Sequence, residues 1–317
     1  MKRTIILTAL SALMILPGLY AQHESLEIAV MPFVDESGKK AASEAALSDL
    51  SASLSRYRFL RLVERSKLDQ IVKEIQLGMT GLVNEKSALK AGKVRGVGVM
   101  IFGAVSAFGV SARAVRLETG RVIAAAAVPS TGEMAKLGDK LAYGIETHLA
   151  RENVKRLRND SPGIDLEFWL EKKNGTRLVP GKSNVMKIGE SVVFKFRANR
   201  DGYLTIVDIQ PGGDVVVLYP NQFTPEGKIS AGTLYSIPSA ADAFEITVSE
   251  PAGSDTVVAF FTEKKADWLD RSKLEGDGFW TVKGNERYMA SRGLSITATG
   301  LNRAQWESAV IEIEVVK

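Results

Sequence analysis

The spacing of apolar positions predicts two kinds of structure in one chain. In the first half, short apolar runs alternate with segments at helical spacing. Leu26 to Phe33, "LEIAVMPF", reads as a strand and meets a turn at "DESGKK", Asp35 to Lys40. Between Ala41 and Arg56, Ala42, Ala45, Ala46, Leu50 and Leu54 recur every three or four positions, which predicts an amphipathic helix. "FLRLVER", Phe59 to Arg65, alternates as a strand does. Ser66 then opens "SKLDQIVKEIQLG", where its hydroxyl can cap a helix and Asp69 stands at the capping-box position. Gly78 is a natural stop, and a third helix starts at Asn84. Gly96 to Ala112 is small or apolar throughout, but its four glycines, its Val/Ile/Phe content and its shortness predict buried strands and not a membrane helix. "ARAVRLETGRVIAAAAV" adds two strands about a turn at Glu118-Thr119-Gly120, and a closing helix runs from Thr131 to Leu157. The order β-α-β-α-α-β-β-β-α predicts an α/β (α+β) domain with a mixed sheet.

The basic stretch "ARENVKRLRNDSPG", ending in Pro162 and Gly163, reads as a linker. Beyond it the texture changes to short strands separated by turn residues, the pattern of an all-β sandwich-like domain. "DLEFWLEKKNGTRLVP" is a hairpin turning at Asn174-Gly175. Strands follow at Ser191–Ala198, Tyr203–Ile209, Val215–Tyr219, Phe244–Val248 and Thr256–Phe261, with "AVIEIEVV" last. Between them, Asp267 to Arg292 is less regular. The most strongly patterned segment is "DGYLTIVDIQPGGDVVVLYPN", Asp201 to Asn221, two strands about a tight turn.

The N-terminus changes the picture. Lys2 and Arg3, the apolar run Ile5–Leu16, the breakers Pro17-Gly18 and then Leu19-Tyr20-Ala21 have the order of a secretory signal peptide, with the cut expected after Ala21. The expected organisation is a signal peptide at 1–21, an α/β domain at 22–158 and a β-rich domain at 159–317. Removing Lys2 and Arg3 with the leader takes the 41 basic side chains to 39 against 37 acidic ones, a net charge of +2. A balance so near neutrality gives no footprint for nucleic acid or an anionic membrane surface. The chain has no cysteine, which excludes disulfides, thiolate chemistry and Cys-based zinc sites. It also denies the mature N-terminus, expected at Gln22, the cysteine that lipoprotein processing requires.

Four stretches of the first domain together resemble the CsgG family of bacterial envelope proteins. They are "IAVMPFVDESG" (Ile28–Gly38), "RLVERSKLDQIVKE" (Arg61–Glu74), "GLVNEKSALKAGKVRGVGVMIFGAV" (Gly81–Val105) and "ARAVRLETGRVI" (Ala112–Ile123). The resemblance covers about residues 26–155. It extends to soluble relatives such as the N-terminal domain of the Tol-Pal translocation protein and the outer-membrane activators of penicillin-binding proteins. The second domain resembles a bacterial domain of unknown function of the DUF4384 type. The stretches that carry this are "KIGESVVFKFRANRDGYLTIVDIQPGGDVVVLYPN" (Lys187–Asn221), "ISAGTLYSIP" (Ile229–Pro238) and "ITVSEPAGSDTVVAFF" (Ile246–Phe261). It implies no catalytic residue. The pore-forming members of the CsgG family insert long hairpins, whereas Gly103–Arg116 leaves room only for a tight one and Ala127 leads straight into the Thr131 helix.

The residues offer little for catalysis. His23 and His148 are the two histidines, and a lone helical His148 reads as a spectator. Gly96 and Gly98 lack the third glycine of a dinucleotide loop and precede their strand. Asp201, Asp208 and Asp214 could approach a calcium ion, but the turns require such residues anyway. Tyr203, Tyr219, Asn221, Trp268 and Trp280 lie near strand ends and form the candidate interaction surface. The reading is an exported, non-enzymatic accessory protein of the periplasm, at most peripheral to the outer membrane. No catalytic, cofactor or metal site is expected, nor a membrane span in the mature chain. Its expected partners are envelope or outer-membrane proteins, and a homo-oligomer fits the same reading. The alternatives are a ring-forming secretion or assembly component of the CsgG type and a periplasmic hydrolase.

Overall fold

The computed structural model describes residues 25–36, 38, 40–64, 96–160, 163–266 and 271–317. The helices expected from Ser66 and from Asn84 lie outside the described residues. In the first module, β1 (Leu26–Val30), β2 (Val34–Asp35), helix α1 (Lys40–Leu54) and β3 (Leu60–Leu62) precede three eight-residue strands. These are β4 (Val99–Ser106), β5 (Gly109–Arg116) and β6 (Arg121–Val128). Their order in the sheet is β3-β1-β4-β5-β6, with β2 beside β4. Strand β1 runs parallel to β3 and β4, while β4, β5 and β6 are antiparallel, so the sheet is mixed. The β4–β5 hairpin pairs Ser106 with Gly109, which leaves no inserted loop at its tip.

After a short 3-10 turn at Thr131–Glu133, helix α2 runs from Met134 to Lys155. At 22 residues it is about 33 Å long. Its Leu137, Leu141 and Ile145 pack with Leu50 and Leu54 of α1 against Ile28, Val99 and Ile101 of the sheet. Farther along, Ala150 and Val154, with Leu157 just beyond its end, enter a different core. One helix therefore serves two hydrophobic interiors.

The second module is a sandwich of two sheets. Its strands are β7 (Leu166–Lys172), β8 (Arg177–Leu178), β9 (Asn184–Lys187), β10 (Ser191–Ala198), β11 (Gly202–Ile209) and β12 (Val215–Tyr219). They continue with β13 (Lys228–Ile229), β14 (Tyr235–Ile237), β15 (Ile246–Thr247) and β16 (Gly253–Thr262). The last are β17 (Leu274–Glu275), β18 (Trp280–Val282) and β19 (Trp306–Val316). The smaller sheet has the order β14-β10-β7-β8, with β15 on β10, and the larger runs β17-β18-β12-β11-β16-β19-β9, with β13 on β11. Phe194 and Phe196 of the smaller sheet meet Leu204, Ile206, Val257 and Phe261 of the larger. On the larger sheet's other face, Val207, Ile209, Val258 and Phe260 pack beneath the end of α2 and beneath α3 (Arg287–Gly300). The layers are sheet, sheet, helices.

Two expectations change here. The sequence reading treated Asp267 to Arg292 as irregular and carried no helix after it, but α3 occupies Arg287–Gly300. It escapes notice because its buried side is small: Ala290, Leu294 and Ala298 at four-residue intervals, with Gly293 between. The strand expected over Phe244–Val248 shortens to Ile246–Thr247. Strand β9 was not foreseen, and a side chain builds its entry. Asn184 is buried and binds the Val179, Lys182 and Glu312 carbonyls through Nδ2, while Oδ1 accepts from the Val179 amide. Among the described residues no helix is long and apolar enough to cross a membrane.

Candidate functional site

Of the aromatic residues proposed from sequence, Tyr203 and Trp280 come together. Strand β12 lies between β11 and β18, and Val217 pairs with Val207 on one side and with Trp280 on the other. That pairing places Tyr203 and Trp280 on either bank of a shallow groove of about 90 Å³, with Val217 and Phe260 in its floor. Pro220, Pro225 and Arg271 complete the banks. The Arg271 guanidinium lies 5.0 Å from the centre of the Trp280 ring and donates to the Pro225 carbonyl at 2.6 Å. A guanidinium over an indole is held there by the negative face of the ring. Trp268 lies outside the described residues.

Tyr219 and Asn221 face inward instead. Tyr219 is 3% exposed, packs 5.3 Å from the Phe196 ring and donates its hydroxyl to the Lys228 carbonyl. Burial pushes its pKa up to about 12. Asn221, equally buried, donates to the Leu218 carbonyl and accepts from the Phe223 and Thr224 amides. Both side chains hold the corner after β12.

A larger space, about 250 Å³, opens between the two sheets. Phe194, Val216, Leu218, Val257 and Phe279 give it apolar walls, and Asp208 and Asp255 stand at one end. Strand alternation puts them there. Asp208 continues the inward row Leu204-Ile206, and Asp255 begins the inward row Val257-Ala259-Phe261. The register opposes Asp208 to Val257, so the two acids sit diagonally on adjacent strands. Burial raises the pKa of Asp208 well above the usual carboxylate range, and contact with the Asp255 carboxyl raises it further. Asp255 is also raised by burial, which the Asp208 hydrogen bond, the Thr256 amide and the Arg151 charge oppose. Two acids so placed share a proton.

The three aspartates weighed for calcium do not converge. Asp201 accepts from the Ala231 amide, Asp214 pairs with Arg287 at 3.3 Å, and Asp208 is the buried acid. Among the described residues no group of three His, Cys, Asp or Glu side chains could hold a metal ion. His148 sits half-buried on α2, its pKa lowered chiefly by burial. His23 lies outside the described residues. By sequence alone Asp208 reads with the turn aspartates and Asp255 does not stand out. The available signal was one acid in each of two inward-facing rows.

The turn of the β11–β12 hairpin docks on α2. Tyr143 donates its hydroxyl to the Gly212 carbonyl, and Arg151 reaches the Gln210 carbonyl at 2.7 Å. Nearby, Glu146 is almost fully buried. It meets Arg287 at 3.4 Å and accepts from the Tyr288 amide at 3.2 Å. Burial nonetheless keeps its pKa raised. Arg287 also lies 4.6 Å over the Tyr143 ring, so α2, α3 and the hairpin turn meet in one polar junction.

Two family models match separate parts of the chain. No curated protein matches it. Among solved structures, the LpoB C-terminal domain from Salmonella enterica is 14% identical, covering 33% of this chain and 81% of its own at a TM-score of 0.29. Lipoprotein GNA1162 from Neisseria meningitidis is 21% identical over 32% of this chain and 77% of its own, with a TM-score of 0.27. TolB from Acinetobacter baumannii is 10% identical over 75% of this chain and 66% of its own, with a TM-score of 0.26. Residues 18–115 match the family model of the curli production assembly/transport component CsgG, and residues 185–265 match that of the domain of unknown function DUF4384. The chain thus carries a CsgG-like segment followed by a DUF4384-like segment, the order in which the two resemblances stand along the sequence.

Proposed function

We propose that this protein is an exported accessory component of the bacterial cell envelope that works without catalysis, by contact with other envelope proteins. The observation that carries the reading is the CsgG family match over residues 18–115, joined to a second module that presents an open aromatic groove. In this reading Tyr203, Trp280 and Arg271 form the recognition surface and the first module sets its position. Large aromatic groups beside a stacked arginine are the side chains that dominate protein contacts. The test is photo-crosslinking in cells from a probe residue placed at Lys265 on the groove's lip. A discrete adduct with an envelope protein, lost on Trp280→Ala and Tyr203→Ala, is expected. Adducts that persist unchanged in both variants would remove the groove from the reading.

One feature favours a second reading, self-association of the CsgG type. Among the described residues β6 pairs with β5 alone, and its stretch from Val122 to Val128 is uncharged. An open uncharged edge is a template for another strand. Phe108, at the tip of the neighbouring hairpin, is 93% exposed. Sedimentation should then show an oligomer that Val122→Lys reduces to a monomer, and a wild-type monomer at tens of micromolar would end this alternative.

A further inference from the structure

The cavity between the two sheets of the second module has a feature that the contact reading does not use. Beside its apolar side chains the lining carries four acids, Asp208, Asp255, Glu245 and Glu250, and the neutral polar groups of Gln210, Thr247 and Ser249. No lysine or arginine is among the residues that line it. Asp208 is 9% exposed, and its Oδ1, like that of Asp255, is sealed from solvent with no hydrogen-bond donor. A buried acceptor without a donor has lost its hydration with nothing in return, and the loss is heavier when it is charged. An interior that retains such a defect at the head of an open space is suited to a guest that supplies the donor.

We infer that this cavity is a binding site for an alkylammonium group, a protonated primary amine on an unbranched apolar stem. The ammonium brings three donors and one positive charge to the paired acids. The stem lies along Phe194, Val216, Leu218 and Phe279. At about 30 Å³ for each water-sized unit, 250 Å³ holds roughly eight heavy atoms, the size of a six-carbon amine or a lysine side chain. A divalent metal is the poorer fit. Calcium takes six to eight oxygens, and among the described residues no third acid or histidine joins Asp208 and Asp255 closely enough to hold a metal ion.

The charges around the acids set how binding responds to pH. Arg151 of α2 lies close enough to favour ionisation of both, and Gln210 hydrogen-bonds Asp208. Glu245 is drawn off by Lys173 and Ser191 at the surface. Where the raised pKa of Asp208 keeps the pair singly protonated, one proton lies between Asp208 and Asp255. The arriving ammonium replaces it, so binding releases a proton to solvent and strengthens as pH rises toward neutrality.

The experiment is isothermal titration of the full mature chain with n-hexylammonium chloride, with hexan-1-ol as the uncharged isostere, and with Nα-acetyl-lysine-N-methylamide. Hexylammonium should bind one to one, at least tenfold more tightly than hexan-1-ol, with a heat that varies with the buffer's ionisation heat as one proton leaves. Asp208→Asn should weaken it at least tenfold. Asp255→Asn repeats the test should the first variant fail to fold. The lysine derivative separates sources: binding within a few-fold of hexylammonium assigns the site to a protein side chain, and much weaker binding assigns it to a free amine. Equal affinity for amine and alcohol, no binding of either amine, or stabilisation by calcium where amines give none would each overturn the proposal. None of these outcomes bears on the Trp280 groove, so the two readings fail separately.

Discussion

Single side chains carry most of the tension in this molecule. Asp208 and Glu146 are acids held largely within the protein interior, and burial raises both pKa values. A raised native pKa adds stability in full below the unfolded value, about 3.9 for aspartate, and loses it as pH climbs through the native value. The protein should therefore melt at progressively lower temperature, on this account, between about pH 4 and neutrality. Asp208→Asn removes one ionisation, so its melting temperature should gain on the wild type across that interval. Glu146 keeps part of the slope. A difference that stays constant from pH 4 to pH 8 would mean that Asp208 is already ionised. At the junction, Arg287→Met strips the nearly buried Glu146 of its cation, and such losses cost about 3–5 kcal/mol. Denaturant titration should show that fall, and adding Glu146→Gln should recover most of it. Without that recovery the damage lies in Arg287's packing on Tyr143 and not in charge.

Elements were legible where one pattern acted alone. Ser191–Ala198 occupies the span that its alternation predicts, because it buries one face of the sandwich. Val215–Tyr219 occupies the span of an unbroken apolar run, because it is buried on both faces. Helix α3 was hidden because a helix packed closely on another helix and a sheet needs small residues, and alanine leaves no amphipathic trace. Strand β9 was hidden because a buried asparagine, and no hydrophobic row, organises its start. The groove shows the same limit. Tyr203 and Trp280 are far apart in sequence and meet only through the β11-β12-β18 order. The Gly212-Gly213 turn makes an element-scale prediction. Gly213 has φ of +94°, and a Cβ there would fall 2.3 Å from Thr147 Oγ1 and 2.8 Å from Tyr143 Oη. Left-handed backbone costs an L-residue about 1–2 kcal/mol and overpacking another 1–3 kcal/mol, so Gly213→Ala should lose roughly 2–5 kcal/mol. Gly232→Ala, with φ of +73° and open space around it, should lose only the backbone part. Equal losses in the two variants would show that the hairpin turn does not press on α2.

At the scale of the whole molecule, the two textures of the sequence stand out and their union does not. The basic stretch after Ala150 reads as a solvated linker, yet Ala150, Val154 and Leu157 are buried beneath the larger sheet. Lysine and arginine at neighbouring positions mask them, since a charge every second or third residue hides a narrow apolar stripe. The join is accordingly tight. Arg151 and Tyr143 grip the hairpin turn, and Asn153 bonds Ser291 of α3 at 3.1 Å. Thermal unfolding should show one cooperative transition by both calorimetry and tryptophan fluorescence. Two separated transitions would mean that the halves melt independently in spite of the join.

Because Met134 to Lys155 belongs to both interiors, the shortest autonomous fragments of this chain must overlap and cannot abut. Scissors placed before the helix would strip the sandwich of its lid, and scissors placed after it would leave the front piece trailing a greasy tail. Any shuffling of these parts among longer polypeptides has to carry the same twenty-two residues along with either partner.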